Sequence, residues 1–185
     1  AFVTGETTSP DFPGFTAPAA NADIFVAAFN AAGTDVRYVS QVGGPGVDIG
    51  YGITVDGLEA YLVGSSTSLI AGTSCVPNAN GDLLVAKLNA AGGPGYTSCF
   101  NYPFVEAGYA IAVRKVANQT EAYVTGETLT VPPPPASPNR DLIVLRFDGN
   151  GVLAQGRVYD ASGDDWGSGV AVDGFGNVFV AGTTY

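Results

Sequence analysis

Residues 122–128 read AYVTGET, and residues 1–7 read AFVTGET. Near-identity over that distance marks a chain built from copies of one unit, and a repeat architecture decides the fold before any single residue does. Two more copies of the core pentapeptide exist, AYLVG at 60–64 and VFVAG at 178–182, so the terminal glycines fall 59, 62 and 56 residues apart. A second series keeps that spacing: ADIFVAAFNAAG from Ala22, GDLLVAKLNAAG from Gly81 and RDLIVLRFDGNG from Arg140. A third is GYGITVD from Gly50, GYAIAVR from Gly108 and GSGVAVD from Gly167. Between the second and third series each unit has one more β-prone stretch: VRYVSQV from Val36, YTSCFNY from Tyr96 and AQGRVYD from Ala154.

Each unit therefore holds four short strands. Their boundaries NAAG, DGNG, DGLE and DGFGN carry the Gly, Asn and Asp that supply positive φ in tight hairpins. Four antiparallel strands in a unit of this length make one blade of a β-propeller. LLVAKL and LIVLRF are apolar on both faces, which requires both faces of their sheets to be covered, as when blades stack. In the GYGITVD series, Ile53 and Val55, Ile111 and Val113, and Val170 and Val172 share one face. Gly52, Thr54, Ala110, Ala112, Gly169 and Ala171 occupy the other. Large alternating with small suits an innermost strand, so the predicted strand order outward is GITVD, AYLVG, LLVAKL, YTSCFN.

The expected fold class is all-β, a β-propeller-type array of four-stranded antiparallel blades. It has about three repeats, 1–59, 60–121 and 122–177, with 178–185 opening a fourth. Three blades do not close a ring, so the array is expected to be open or part of a larger assembly. Other copies of the chain or neighbouring repeats are then its expected partners.

These units, G-x-G-I-A-V-D, A-Y-V-T-G-x-T and D-x-x-V-A-K-L-N-x-x-G, resemble the bacterial β-propeller repeat family SBBP over essentially the whole chain. The resemblance implies a secreted or cell-surface repeat protein embedded in a longer chain, and it transfers no catalytic residues. The chain departs from the pattern at Arg114, where the other units have Asp56 and Asp173, and in the longer KVANQTE turn that follows. The hairpin there is expected to be re-shaped.

With 17 acidic against 7 basic residues the net charge is −10, which opposes a phosphate-tracking surface and argues against nucleic acid as a partner. The longest apolar runs are about six residues, as in IFVAAF, far below the ~20 needed to insert a helix across a membrane. The chain has no His, so the usual nucleophile–base arrangements are absent, and no acid pair stands out for glycoside hydrolysis. The expectation is a non-enzyme without a dedicated cofactor.

Cys75 and Cys99 are the two cysteines. The simplest use is one disulfide, which suits an extracellular or cell-surface location; the alternative is two buried thiols.

Asp48, Glu106 and Asp165 recur four residues before Gly52, Ala110 and Gly169. At the mouth of a central channel they could attract calcium; equally, each could accept N–H bonds in its own turn. Asp23, Asp82 and Asp141, at the entrance of the third strand, read as turn-forming residues. Trp166 beside Asp164 and Asp165, with Tyr51 and Tyr109 nearby, offers an aromatic and acidic surface for glycans, or simply packing. Asn118-Gln119-Thr120 matches an N-glycosylation acceptor. The loops before the third strand hold nine of the twelve prolines, and Pro132–Pro135 should extend as polyproline II, either a spacer or a contact surface. The functional expectation is a structural, adhesive or fibre-forming module; the alternative is a carbohydrate- or calcium-dependent binding domain.

Overall fold

The computed structural model describes residues 1–15, 21–70, 73, 81–102, 105–130, 138–160 and 162–185. The described residues form four antiparallel sheets. The first runs β1 (Phe2–Thr7), β2 (Asp23–Phe29), β3 (Val36–Val42). The second runs β4 (Asp48–Asp56), β5 (Glu59–Ser66), β6 (Asp82–Leu88), β7 (Pro94–Phe100). The third repeats that plan with β8 (Glu106–Val116), β9 (Gln119–Thr130), β10 (Asn139–Phe147) and β11 (Leu153–Tyr159). The fourth pairs β12 (Asp165–Val172) with β13 (Val178–Thr184). The expected strand order is met in both four-stranded sheets. The sheets begin one strand earlier than the repeat frame, because β4, β8 and β12 end one frame and open the next sheet.

One turn chemistry closes four of the hairpins. Asn30, Asn89, Asp148 and Asp173 each accept, through their carbonyl, the N–H of a glycine three residues on. Those glycines, Gly33, Gly92, Gly151 and Gly176, all have φ between 73° and 92°, open to residues without a Cβ at little cost. The Asn and Asp side chains accept further backbone N–H bonds inside the same turns.

Burial on both faces follows from the stacking. In the second sheet, Ala60, Leu62, Leu84, Ala86 and Leu88 face the first sheet, where Ile24, Val26 and Val42 complete one core. Tyr61, Val63, Leu83 and Val85 face the other way, into a second core with Ile111, Val124, Ile143, Leu145 and Phe147 of the third sheet.

The large-and-small alternation of the first strands has the expected cause. Ile53 packs back on the first core and Ile111 lies in the second, while Gly52 lies against β8: a methyl group there would come within 2.9 Å of the Tyr109 carbonyl oxygen. Neighbouring sheets are in contact along these strands, β4 with β8 and β8 with β12. Each first strand also carries a register shift, between Gly50 and Gly52, Gly108 and Ala110, and Gly167 and Gly169. This repeated bulge turns Tyr51, Tyr109 and Ser168 out of the ladder.

The re-shaped hairpin is present. β8 and β9 have 11 and 12 residues against 9 and 8 for β4 and β5, and Ala117 takes φ 53° at the tip.

Candidate functional site

Two series of acids meet at the junctions between sheets. Asp48, Glu106 and Asp165 are the first residues of β4, β8 and β12; Asp23, Asp82 and Asp141 lie at the start of β2, β6 and β10. All six are buried. At the first junction Asp23 Oδ1 and Asp48 Oδ2 border Gly43, where a methyl carbon would stand 2.3 and 2.7 Å from them. At the second, Glu106 is hydrogen-bonded to Asp82, and at the third Asp141 senses the charge of Asp160 and Asp165. A backbone link accompanies the first two: Asp48 N–H donates to Ala22 C=O (2.7 Å) and Glu106 N–H to Gly81 C=O (3.0 Å).

The loops leading into these strands donate as well, Gly44 N–H to Asp48 Oδ2 (2.8 Å) and Tyr102 N–H to Glu106 Oε2 (3.1 Å). The Thr128 hydroxyl donates to Glu106 Oε1 (3.1 Å). Gln41 Nε2 donates to Asp23 Oδ2 (2.7 Å), while Asn139 Nδ2 (2.9 Å) and the Thr130 hydroxyl donate to Asp141. Asp23 Oδ1, Asp48 Oδ1 and Asp165 Oδ2 have no hydrogen-bond partner among the described residues.

Asp23, Asp48, Glu106, Asp141 and Asp165 take part in no ion pair among the described residues. Burial raises the carboxyls of Asp23, Asp48 and Asp141 above the ordinary carboxylate range. It pushes Glu106 up to about 7, with Asp82 adding to the shift and the Tyr102 N–H and Thr128 hydroxyl opposing it. Two carboxyls buried together without a cation ionise with difficulty, so such a pair tends to retain a proton between its members.

Sequence reasoning missed the role of Asp23, Asp82 and Asp141, because a strand entrance is also where turn-forming Asp is common. Their near-constant separation from the other series, 25, 24 and 24 residues, was the signal that could have revealed the pairing. The structure places Asp48, Glu106 and Asp165 one to a junction. Among the described residues no group of three or more acid or cysteine side chains lies close enough to hold a metal ion.

A second set of repeated contacts lies farther out. Ser40 on β3 donates to the Gly92 carbonyl (2.7 Å), and Ser98 on β7 to the Gly151 carbonyl (2.6 Å), each reaching the outer hairpin of the next sheet. Tyr38 and Tyr96 cover the same glycines, so that a methyl group at Gly92 or Gly151 would stand 2.5 or 2.4 Å from a ring carbon. At the turn end the Thr120 hydroxyl donates to Asp56 Oδ2 (2.7 Å), and Arg114 donates to the Gly174 carbonyl (3.2 Å).

The aromatic residues of the expected glycan surface, Trp166, Tyr51 and Tyr109, separate into two places. Tyr51 and Tyr109 pack edge to face, with centroids 5.2 Å apart. Trp166 instead lies 5.6 Å from Tyr185 and lines a cavity of about 300 Å³ with Asp165, Tyr159 and Asp160. Asp164 Oδ1 accepts the Arg140 N–H (2.9 Å). Asn118 is exposed on the β8–β9 turn, although the hydroxyl of its Thr120 is occupied by Asp56. Cys99 packs against the first core and is not a free thiol. Cys75 and the Pro132–Pro135 run lie outside the described residues.

No curated protein matches the chain. Residues 155–185, which span most of β11, the third acid pair's Asp165 and the hairpin β12–β13, match the family model SBBP, a beta-propeller repeat. The C-terminal part of the chain is thus similar to an SBBP beta-propeller repeat, and the sheets before it follow the same plan of strands, turns and buried acids.

Proposed function

We propose that the chain is a non-enzymatic structural module of an extracellular or cell-surface protein, a stiff spacer whose sheets lock to one another in series. The observation that carries this reading is the recurrence of the same junction contacts: paired acids, serine-to-carbonyl bonds and tyrosine-covered glycines link successive sheets. The acid pairing recurs at three junctions and the serine and tyrosine contacts at two, and contacts repeated from unit to unit serve the stack rather than one special unit. Its partners are further repeats or other copies, and its adhesive or fibre-forming use follows from stiffness and length. A Cys75–Cys99 disulfide and the extracellular location belong to the same proposal. Thiol titration in denaturant should find no free thiol before reduction and two after it.

Pulling on a chain tethered at both ends tests the scaffold. Stepwise unfolding at one sheet or sheet pair per event is expected, and turnover of ester, phosphoester or glycoside substrates would overturn the non-enzymatic reading.

A second reading, carbohydrate binding near Trp166, is favoured by the cavity it shares with Tyr159, Asp160 and Asp165. Glycan-array binding abolished by Trp166→Ala would establish it. Calcium dependence of that binding, lost with chelator and restored by the ion, would bring in Asp165, the one of the three recurrent acids Asp48, Glu106 and Asp165 that lines this cavity.

A further inference from the structure

The acid pairs share one plan but differ in how their oxygens are satisfied. At the second junction Glu106 is complete: the Thr128 hydroxyl donates to Oε1, the Tyr102 N–H donates to Oε2, and the carboxyl is hydrogen-bonded to Asp82. The first junction has an aspartate, Asp48, in the place of that glutamate, one methylene shorter. Asp23 is 3% exposed and Asp48 0% exposed, yet Asp23 Oδ1 and Asp48 Oδ1 both lack a hydrogen-bond partner among the described residues. The donors around them are turned elsewhere. Gln41 Nε2 donates to Asp23 Oδ2 and the Gly44 N–H to Asp48 Oδ2, while the Ser66 hydroxyl, beside Asp48, donates to the Ser68 carbonyl (3.1 Å).

The two side chains meet over Gly43. Asp23 Oδ1 and Asp48 Oδ2 lie 2.3 and 2.7 Å from the point where a methyl carbon at Gly43 would stand, so the glycine leaves both carboxylates room to converge. Two oxygens that close to one point fall within the span of two ligands on a single calcium ion, each at ~2.3–2.6 Å. No ion pair among the described residues balances either charge. A buried carboxylate oxygen with neither a donor nor a counter-charge is costly, and an oxygen-only donor set selects a hard cation. A divalent ion cancels both charges, whereas a monovalent one leaves one of them uncompensated.

We propose that the Asp23–Asp48 junction binds one calcium ion, which ties the first sheet to the second. Asp23 stands on β2 and Asp48 on β4, so the ion joins strands of different sheets. Two carboxylates leave the rest of the coordination to water and backbone oxygens, which places the affinity in the ~0.1–1 mM range of extracellular calcium modules. Magnesium demands near-ideal octahedral geometry and dehydrates reluctantly, so it is a poor occupant of a buried pair. The second junction does not take the ion, because Glu106 reaches Asp82 itself. The site adds to the scaffold reading without depending on it, and its failure would leave the unfolding test of that scaffold unaffected.

Equilibrium dialysis of the 185-residue chain against radioactive calcium, in about 150 mM sodium chloride, measures the binding, and melting temperatures in calcium, magnesium or chelator measure its consequence. Saturable calcium uptake is expected, with a melting temperature several degrees higher in ~5 mM calcium than in chelator or in magnesium. Asp48→Glu, which gives the first junction the acids of the second, should remove the calcium-dependent rise. Asp23→Asn, which keeps the shape of the side chain, should do the same and carries the test if Asp48→Glu does not fold. Glu106→Gln and Asp165→Asn should keep the rise, and its loss in Asp165→Asn with Asp23→Asn unaffected would move the ion to the Trp166 cavity and overturn the proposal. No saturable uptake, an equal rise in magnesium, or an undiminished rise in a folded Asp23→Asn variant would overturn it as well.

Discussion

Gly92 and Gly33 sit at the same step of equivalent turns, both with positive φ, yet their surroundings differ. Nothing lies within 4 Å of where a methyl group at Gly33 would be, whereas at Gly92 the Tyr38 ring stands 2.5 Å away. Gly33→Ala should therefore cost only the backbone term, about 1 kcal/mol. Gly92→Ala should add an overpacking cost of about 1–3 kcal/mol, since Tyr38 must move off the hairpin it covers. Denaturant titration of the two variants measures the difference, and equal losses would mean that the tyrosine cover contributes nothing. At this scale the turns were legible in the sequence, because Asx and Gly at fixed positions have local causes. The tyrosine cover was not, because it joins residues 54 apart in the chain, Tyr38 and Gly92, through tertiary packing alone.

Between elements, the buried acid pairs make the junctions sensitive to pH. In the unfolded chain the Glu106 carboxyl is free of burial and of Asp82, whereas in the fold it is pushed up to about 7. The folded state therefore binds the proton more tightly, and its contribution is complete below the unfolded value and lost as pH rises through about 7. The raised carboxyls of Asp23, Asp48 and Asp141 act in the same direction. The melting temperature should fall between pH 5 and pH 8, and Glu106→Gln, which keeps a neutral donor beside Asp82, should flatten much of that slope. An unchanged slope in the variant would assign the pH dependence elsewhere. The serine bonds are smaller: Ser98→Ala should cost about 1 kcal/mol, read from chemical denaturation, as expected for one net hydrogen bond. The strands and their order were legible because apolar pattern and spacing recur. The acid pairing was not, because each partner alone has the appearance of an ordinary turn residue, and only the fold brings the two series together.

Across the whole molecule, stability is unevenly distributed. β5 and β6 are buried on both faces, while β11 and β13 are exposed along their whole lengths. Hydrogen exchange should be slowest in β5 and β6, where opening breaks both cores, and fastest in β11 and β13. Uniform protection from end to end would contradict a series of locally coupled sheets.

The offset between repeat and sheet has a further consequence. Each stretch such as 60–121 begins at a second strand and ends by donating β8 to the following sheet, so its two ends fall inside different sheets. Copying that stretch once more in tandem would still leave every sheet with its complement, wherever the copied window began. Such a gene can lengthen or shorten by unequal recombination without a broken blade, which makes reach, and not shape, the easiest property for selection to adjust.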